Sequence, residues 1–187
     1  MIEFKEKVID ILPYNRKRYL SLKEWYGISF QKPNDEKEKN LLGFIDCYEP
    51  LFKTLIQQFD NRYPWVVNHD YMDKNWFPNE DNTLMLLRNL FKENNIPNTF
   101  KGAMIFTTDD LLRYTKELIS YPYAVFSQKD ILYSDIDISN SEIQLVIKIS
   151  GHLNIDLLST DLNLLKKIVN NNSLNDFEII KYRGTKF

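Results

Sequence analysis

The sequence predicts an α+β protein whose helical N-terminal half packs on a mainly antiparallel sheet, with two further helices in the C-terminal half. Two observations lead to this fold class. Apolar residues follow helical spacing in two segments before Pro97, whereas short runs of β-forming residues alternate with two helical segments after it. A chain of 187 residues is expected to bury its core as one domain, mainly helical over 1–97 and α+β over 98–187.

The N-terminal half has two stretches of helical periodicity. The first extends from Glu38 to Phe59 and contains Pro50, which removes a backbone hydrogen bond, so two helices or one sharply kinked helix are expected. The second covers residues 83–93, where the apolar positions form one stripe. Asp81 or Asn82 is expected to cap this helix, and the segment 94–97 is expected to end it.

The C-terminal half is predicted to alternate strands with helices. A short apolar strand over 102–106 precedes Thr107, which is expected to cap a helix that has Asp109 and Asp110 in its first turn. A second helix is predicted over 162–169, capped by Thr160 or Asp161. The other predicted strands cover residues 123–127, 131–138, 143–150, 154–159 and 177–182.

Two predicted hairpins decide which side chains share a face of the sheet. The first is expected to have a two-residue turn, which places Asp137 opposite Gln144. In the second, a two-residue turn would pair apolar with polar residues. A three-residue loop over 151–153 instead keeps the apolar residues together and places Lys148 opposite Asp156, so this register is preferred.

The strand beginning near Ser134 has the sequence Ser-Asp-Ile-Asp-Ile, and another aspartate follows on a later strand. This arrangement resembles the nucleotidyltransferase superfamily, which implies that Asp135, Asp137 and Asp156 bind two magnesium ions for phosphoryl transfer. However, the family's Gly-Ser turn is missing, and the predicted register separates Asp135 from Asp156 by roughly 12 Å. The preferred expectation is therefore solvated acids on one face of the sheet, without a metal ion.

The segment from Tyr63 to Phe77 concentrates aromatic residues in a polar context. Trp65, Tyr71, Trp76 and Phe77 lie here together with His69, and the segment lacks the ligand pattern of a calcium loop. Two interpretations remain open. The rings could form a protein-contact surface, because amphipathic aromatic residues are typical of contact hot spots. Alternatively, they could be buried between the helical half and the sheet.

Composition restricts the classes of partner and of chemistry. A net charge of -2 gives no general attraction for nucleic acid. No apolar run approaches the ~18 residues of a membrane span, and charged residues interrupt the first segment, so neither membrane contact nor a signal peptide is expected and the predicted location is cytoplasmic. Cys47 is the single cysteine, which excludes an internal disulfide. No cofactor is expected, and abundant Asn, Ile, Lys and Leu indicate an AT-rich, bacterial genome.

Three blocks of sequence, over residues 100–103, 118–123 and 149–161, resemble an uncharacterised family of small bacterial proteins. The acidic, aromatic-rich chain is also similar in kind to immunity proteins that neutralise toxins. The first hypothesis is therefore a non-enzymatic cytosolic module that binds another protein, as an immunity-like or regulatory inhibitor. Its contact surfaces would be the aromatic segment and the acidic face. The alternative hypothesis is a divergent, metal-dependent nucleotidyltransferase-like enzyme.

Overall fold

A computed structural model of the chain describes residues 2–5, 25–33, 41–59, 64–69, 74–78, 84–126, 134–140, 142–152, 154–170 and 176–187. Within these residues, five helices accompany one eight-stranded sheet in which all pairings are antiparallel. The predicted α+β class is thus confirmed. None of the described helices has the length and apolar character needed to cross a lipid bilayer.

The sheet draws its strands from the whole chain. Its spatial order is β1-β4-β3-β5-β6-β7-β2-β8. The strands are β1 (Glu3–Lys5), β2 (Tyr26–Gln31), β3 (Trp65–His69), β4 (Ala103–Phe106), β5 (Ile136–Asn140), β6 (Leu145–Ser150), β7 (Asn154–Ser159) and β8 (Glu178–Lys181). Three of these strands, β1, β2 and β3, belong to the half of the chain that was predicted to be mainly helical.

The helices lie largely where apolar periodicity predicts them. They are α1 (Leu41–Ile56), α2 (Met85–Glu93), α3 (Thr108–Arg113), α4 (Thr115–Phe126) and α5 (Leu162–Val169). α1 is one helix that includes Pro50, and α5 has the predicted bounds. Asp161 caps α5, since its side chain accepts hydrogen bonds from the N–H groups of Asn163 and Leu164. The residues proposed to cap α2, Asp81 and Asn82, lie outside the described part of the chain.

The capping box predicted before α3 is present. The Thr107 side chain accepts a hydrogen bond from the Asp110 N–H, and the Asp110 carboxylate accepts one from the Thr107 N–H. The strand predicted over 123–127 is wrong, because α4 continues through Pro122 to Phe126. α4 packs against α1 and contacts β5 and β6, so tertiary packing overrides the β-propensity of this segment.

The connection between β5 and β6 differs from the predicted two-residue turn. Asn140 pairs with Leu145, so four residues connect the strands. The Asn140 side chain accepts hydrogen bonds from the N–H groups of Glu142 and Ile143, and Gln144 adopts a left-handed conformation with φ of 52°. The prediction that Asp137 faces Gln144 is therefore wrong, and Asp137 lies opposite Lys148. The three-residue loop between β6 and β7 is confirmed, with Lys148 opposite Asp156.

One face of the sheet is apolar and carries the main core. Opposed residues share a face, and Ile136, Ile149, Ile155 and Phe30 form one continuous row across β5, β6, β7 and β2. All four side chains are fully buried in the core to which α1, α2 and α4 contribute. This apolar row requires a contrasting set of residues on the other face, because successive side chains of a strand point to opposite sides.

Candidate functional site

A row of polar side chains crosses five strands on the second face of the sheet. Register places Asn68 opposite Asp137, Asp137 opposite Lys148, Lys148 opposite Asp156, and Asp156 opposite Ser29. These five residues are called the polar row below. All of them are buried, and Lys148 is the most exposed at 5%. Polar residues of neighbouring strands therefore share one face of the sheet, as predicted, but the expectation that the acids of this face are solvated is wrong.

Lys148 holds two of the three predicted site acids. Its Nζ lies 2.9 Å from Oδ2 of Asp135 and 3.8 Å from Oδ1 of Asp137. Asp135 also accepts a hydrogen bond of 3.0 Å from the N–H of Gly151, which fixes the carboxylate beside the β6–β7 turn. The observed β5–β6 register explains this convergence, because it places Asp137 opposite Lys148 and not opposite Gln144, and Asp135 lies just before β5.

Asp156 occupies a different environment on the same row. Burial raises the pKa of the Asp156 carboxyl, and this effect outweighs the lowering by hydrogen bonds from Ser29, Tyr182 and Asn154 and by the charge of Lys148. Nδ2 of Asn154 lies 2.6 Å from Oδ1 of Asp156. The row thus contains an ion pair centred on Lys148 and, next to it, a carboxyl group for which the neutral form is favoured by burial.

The charged side chains of the polar row pair with each other inside the protein. Asp137 and Asp156 of the row, together with the neighbouring Asp135, surround the Lys148 ammonium group, and none of these four residues is more than 6% exposed. Among the described residues, no group of three or more His, Cys, Asp or Glu side chains is arranged to hold a metal ion. Because the Lys148 ammonium lies between Asp135 and Asp137, these carboxylates already contact a cation that repels a second one. This geometry weighs against the two-metal arrangement implied by the Asp-x-Asp strand.

The aromatic residues predicted as a contact surface are core residues where they are described. Trp65 and Trp76 are fully buried, and Phe77 is 6% exposed. The indole N–H of Trp65 donates to the Thr108 hydroxyl, and that of Trp76 donates to the Gly102 carbonyl. The expectation of an exposed surface is thus wrong for these three rings, and the alternative interpretation, burial, is observed. Tyr71 lies outside the described residues.

His69 belongs to the same buried aromatic cluster. Its ring is 1% exposed and packs edge-on against Trp76, with ring centroids 4.7 Å apart. Nδ1 of His69 lies 3.2 Å from the Ser134 hydroxyl, which is also buried. The contact orients the imidazole within the core. His152, by contrast, is exposed in the β6–β7 turn, and its backbone N–H donates to the Ser150 hydroxyl.

An open cavity of about 640 Å³ lies beside α2, at a place to which sequence reasoning did not point. Phe91 and Ile96, both buried, contribute apolar lining, whereas the half-buried Arg88 and exposed residues of α2 and of the following turn contribute the rest. This site is called the α2 groove. Its lining comprises Met85, Arg88, Asn89, Phe91, Lys92, Asn95, Ile96, Pro97 and Asn98.

A sequence signal for the α2 groove exists in retrospect. Met85, Arg88, Asn89 and Lys92 follow helical spacing on the side of α2 opposite to the buried Leu87 and Leu90. Met85 is an exposed methionine on the same helical face as two cations, and methionine is frequent at binding surfaces that adapt to their partner. The chain matches no protein family model, no curated protein and no solved structure.

Proposed function

We propose that this chain is a non-enzymatic protein-binding module of bacterial, cytoplasmic origin, acting as an immunity-like or regulatory inhibitor. The observation that carries the proposal is that the potentially reactive side chains and the accessible groove lie at different places. Asp135, Asp137 and Asp156, the acids predicted to catalyse a reaction, are buried around Lys148. Among the lining residues that the structure describes, the accessible α2 groove has no carboxylate, imidazole, thiol or hydroxyl.

The α2 groove nevertheless has the composition of a recognition site. Met85 is 47% exposed, and flexible methionine side chains adapt to the shape of a bound partner. Carboxamides from Asn89, Asn95 and Asn98 can donate and accept hydrogen bonds, as peptide backbones require. The apolar and hydrogen-bonding groups of the described lining support a role in binding.

Affinity purification from the native host tests the proposal. A tagged chain is expected to recover one partner protein in a fixed stoichiometry, and the complex is expected to elute as one species in size-exclusion chromatography with light scattering. A large toxin encoded by a neighbouring gene would identify an immunity role. Recovery of the chain alone, under conditions in which it remains folded, would contradict a protein-binding function. Cell fractionation of the native host tests the cytoplasmic location separately.

The alternative, a nucleotidyltransferase-like enzyme, has one observation in its favour. Asp135, Asp137 and Asp156 do converge, since all three neighbour Lys148 on one face of the sheet. That enzyme would bind magnesium and a nucleoside triphosphate and would lose this binding in Asp135→Asn. Calorimetry with both ligands separates the two functions, because we expect no heat of binding from the wild-type chain.

A further inference from the structure

β8 is the last strand of the sheet and, in the part of the chain that the structure describes, it pairs on one side only, with β2. The Tyr182 N–H donates to the Gly27 carbonyl, so the backbone groups of every second residue from Tyr182 backwards point to β2. The N–H and C=O groups of Ile179 and Lys181 therefore point away from the sheet. This outward side of Glu178–Lys181 is called the β8 edge.

The β8 edge is accessible and is held in place by contacts on its inner side. Glu178, Ile180 and Lys181 are exposed, Ile180 at 39%. The Gly27 N–H donates to the Thr185 hydroxyl, which anchors the segment after β8 on β2. A strand that is already ordered loses little conformational freedom when another strand pairs with it. Outward N–H and C=O groups of such an edge bind an extended backbone, which is how strand addition provides affinity.

The side chains of the β8 edge restrict the sequence of an added strand. Glu178 and Ile180 are on the face of the polar row, since Ile180 lies opposite Ser29. Glu178 lies opposite the uncharged Gln31, so this pairing provides no cation for its carboxylate. Residues 171–175, just before the described stretch, include no charged side chain. A strand with an apolar residue opposite Ile180 and a cation opposite Glu178 would match both side chains.

A second copy of the chain does not provide this match. In an antiparallel pair, residues whose N–H and C=O groups point to the other strand lie opposite each other. If β8 paired with its copy about a two-fold axis, Lys181 would lie opposite a residue of its own set, such as Ile179, and never opposite Glu178. Glu178 would face Glu178, Ile180 or Tyr182 of the copy, none of which is a cation. A segment of another protein is not restricted in this way, so the charge of Glu178 favours such a segment.

We infer that the β8 edge binds an extended segment of a partner protein as an additional antiparallel strand, with an apolar residue opposite Ile180 and a lysine or arginine opposite Glu178. This inference rests on the proposed protein-binding function and assigns a docking site to it. Every second residue of the segment pairs with the backbone of Ile179 and Lys181. Because the strands are antiparallel, the recognised pattern in the segment is an apolar residue, any residue and then a basic residue.

Fluorescence anisotropy tests the inference with a labelled, threonine-rich peptide that contains the pattern valine, threonine, lysine. The wild-type chain is expected to bind it, and Glu178→Lys is expected to weaken binding by about fivefold or more, because an attraction becomes a repulsion. Ile180→Lys is expected to have the same direction of effect. Glu3→Lys is the matched control, because Glu3 is an exposed glutamate on β1, the strand at the other edge of the sheet.

Methylation of single peptide amides tests the strand pairing itself. In a strand bound along one edge, every second amide points to β8 and the others point away from it. The amide of the threonine between valine and lysine lies opposite Ile179 and points to β8. Its N-methylation is expected to weaken binding by about tenfold or more, whereas N-methylation of the valine or lysine amide should have a much smaller effect.

Four outcomes would overturn the inference. The first two are no binding of the peptide by the wild-type chain and equal affinities of the Glu178→Lys and Glu3→Lys chains. The third is an equal loss from N-methylation at all three amides. The fourth is a wild-type dimer in light scattering that Ile180→Lys separates, because the β8 edge would then belong to a second copy. Circular dichroism establishes that each variant is folded.

The same variants separate this inference from the proposed function. If affinity purification with Glu178→Lys and with Ile180→Lys recovers the native partner as well as the wild-type chain does, the β8 edge is not the docking site but protein binding stands. If the wild-type chain recovers no partner, the proposed function fails. Binding of the peptide that is lost in Glu178→Lys would then support only the strand-pairing chemistry of the β8 edge.

Discussion

The two faces of the sheet are equally buried but are stabilised by different interactions. On β6, Ile147 points into the apolar core and Lys148 points to the opposite face, and both are at most 5% exposed. Burial of Ile147 is favourable without any specific partner, since the hydrophobic effect is non-directional. Burial of Lys148 is favourable only because Asp135 and Asp137 are placed to receive its charge.

The two faces therefore contribute differently to the stability of the fold and to the register of its strands. The apolar row provides the larger stabilisation, because each fully buried aliphatic side chain contributes roughly 1.5–3 kcal/mol. The polar row contributes specificity of strand pairing. A slip of one residue between β5 and β6 would turn Lys148 away from its carboxylates and into the apolar core, which is a costly alternative.

The largest expected effect comes from breaking the charge pairing on the polar face. Lys148→Met leaves Asp135 and Asp137 buried without the ammonium, and we expect it to lower the free energy of unfolding by about 3–5 kcal/mol at neutral pH. Urea denaturation monitored by fluorescence measures the change.

A matched variant isolates the charge from the packing. Adding Asp135→Asn and Asp137→Asn to Lys148→Met removes all three charges, and most of the lost stability should return, since a neutral buried set avoids the unpaired carboxylates. A loss below about 1 kcal/mol in Lys148→Met alone would show that the two faces do not differ in this way.

The corresponding change on the apolar face is Ile147→Ala. This residue is fully buried between β5 and β7, so truncation leaves a cavity and should cost about 2–5 kcal/mol in the free energy of unfolding. In contrast to Lys148→Met, this cost arises from lost apolar contacts and not from an unbalanced charge. Ile180→Ala is the control, because Ile180 on β8 is 39% exposed and should lose far less. A loss in Ile147→Ala no larger than that in Ile180→Ala would contradict the comparison.

The register of the apolar face could be predicted from the sequence only where the loop left no choice. Between β6 and β7, a three-residue loop alone matches apolar residues with each other, and the observed pairing of Lys148 with Asp156 follows. Between β5 and β6, several loop lengths satisfy the apolar pattern. The choice depends on the Asn140 side chain and on the left-handed Gln144, and alternation of hydrophobicity contains no information about either.

The burial of the polar face could not be predicted, because it depends on contacts between distant parts of the chain. The Gly27 N–H donates to the Thr185 hydroxyl, and the Tyr182 N–H donates to the Gly27 carbonyl. The strand β2 itself was missed for the same reason, since its partners β7 and β8 lie more than a hundred residues away. The acids of the candidate site were predicted to be solvated for this reason, because the alternation of polar and apolar residues alone does not indicate that the polar face is covered.

Gly27→Ala tests how closely the C-terminal segment that contains Tyr182 and Thr185 packs on the polar face. A Cβ atom at this position would clash with the Tyr182 ring and lie 2.9 Å from Cδ2 of Leu158. We expect a loss of roughly 1–3 kcal/mol in thermal or urea unfolding, because the ring must move from its place beside Asp156. In the background of Tyr182→Ala the same substitution should cost much less, and strictly additive losses would exclude the clash.

The smallest expected effect concerns the protonation of Asp156. Burial raises the pKa of the Asp156 carboxyl in the folded chain above its ordinary value of 3.8. The folded state therefore binds this proton more tightly than the unfolded state. The group's contribution to stability is fully present below pH 3.8 and is lost as pH rises through the raised value. Asp156→Asn keeps an amide oxygen for the Asn154 hydrogen bond and removes the titration.

Urea denaturation of both chains across the acidic range measures this difference. Relative to the wild-type chain, Asp156→Asn should gain stability as the pH rises from below 3.8 towards neutrality, because it no longer requires a buried carboxylate to ionise. A constant difference between the two chains at every pH would show that Asp156 ionises as easily in the folded as in the unfolded state. Lys148 would then have the ionised Asp156 to balance in addition to Asp135 and Asp137.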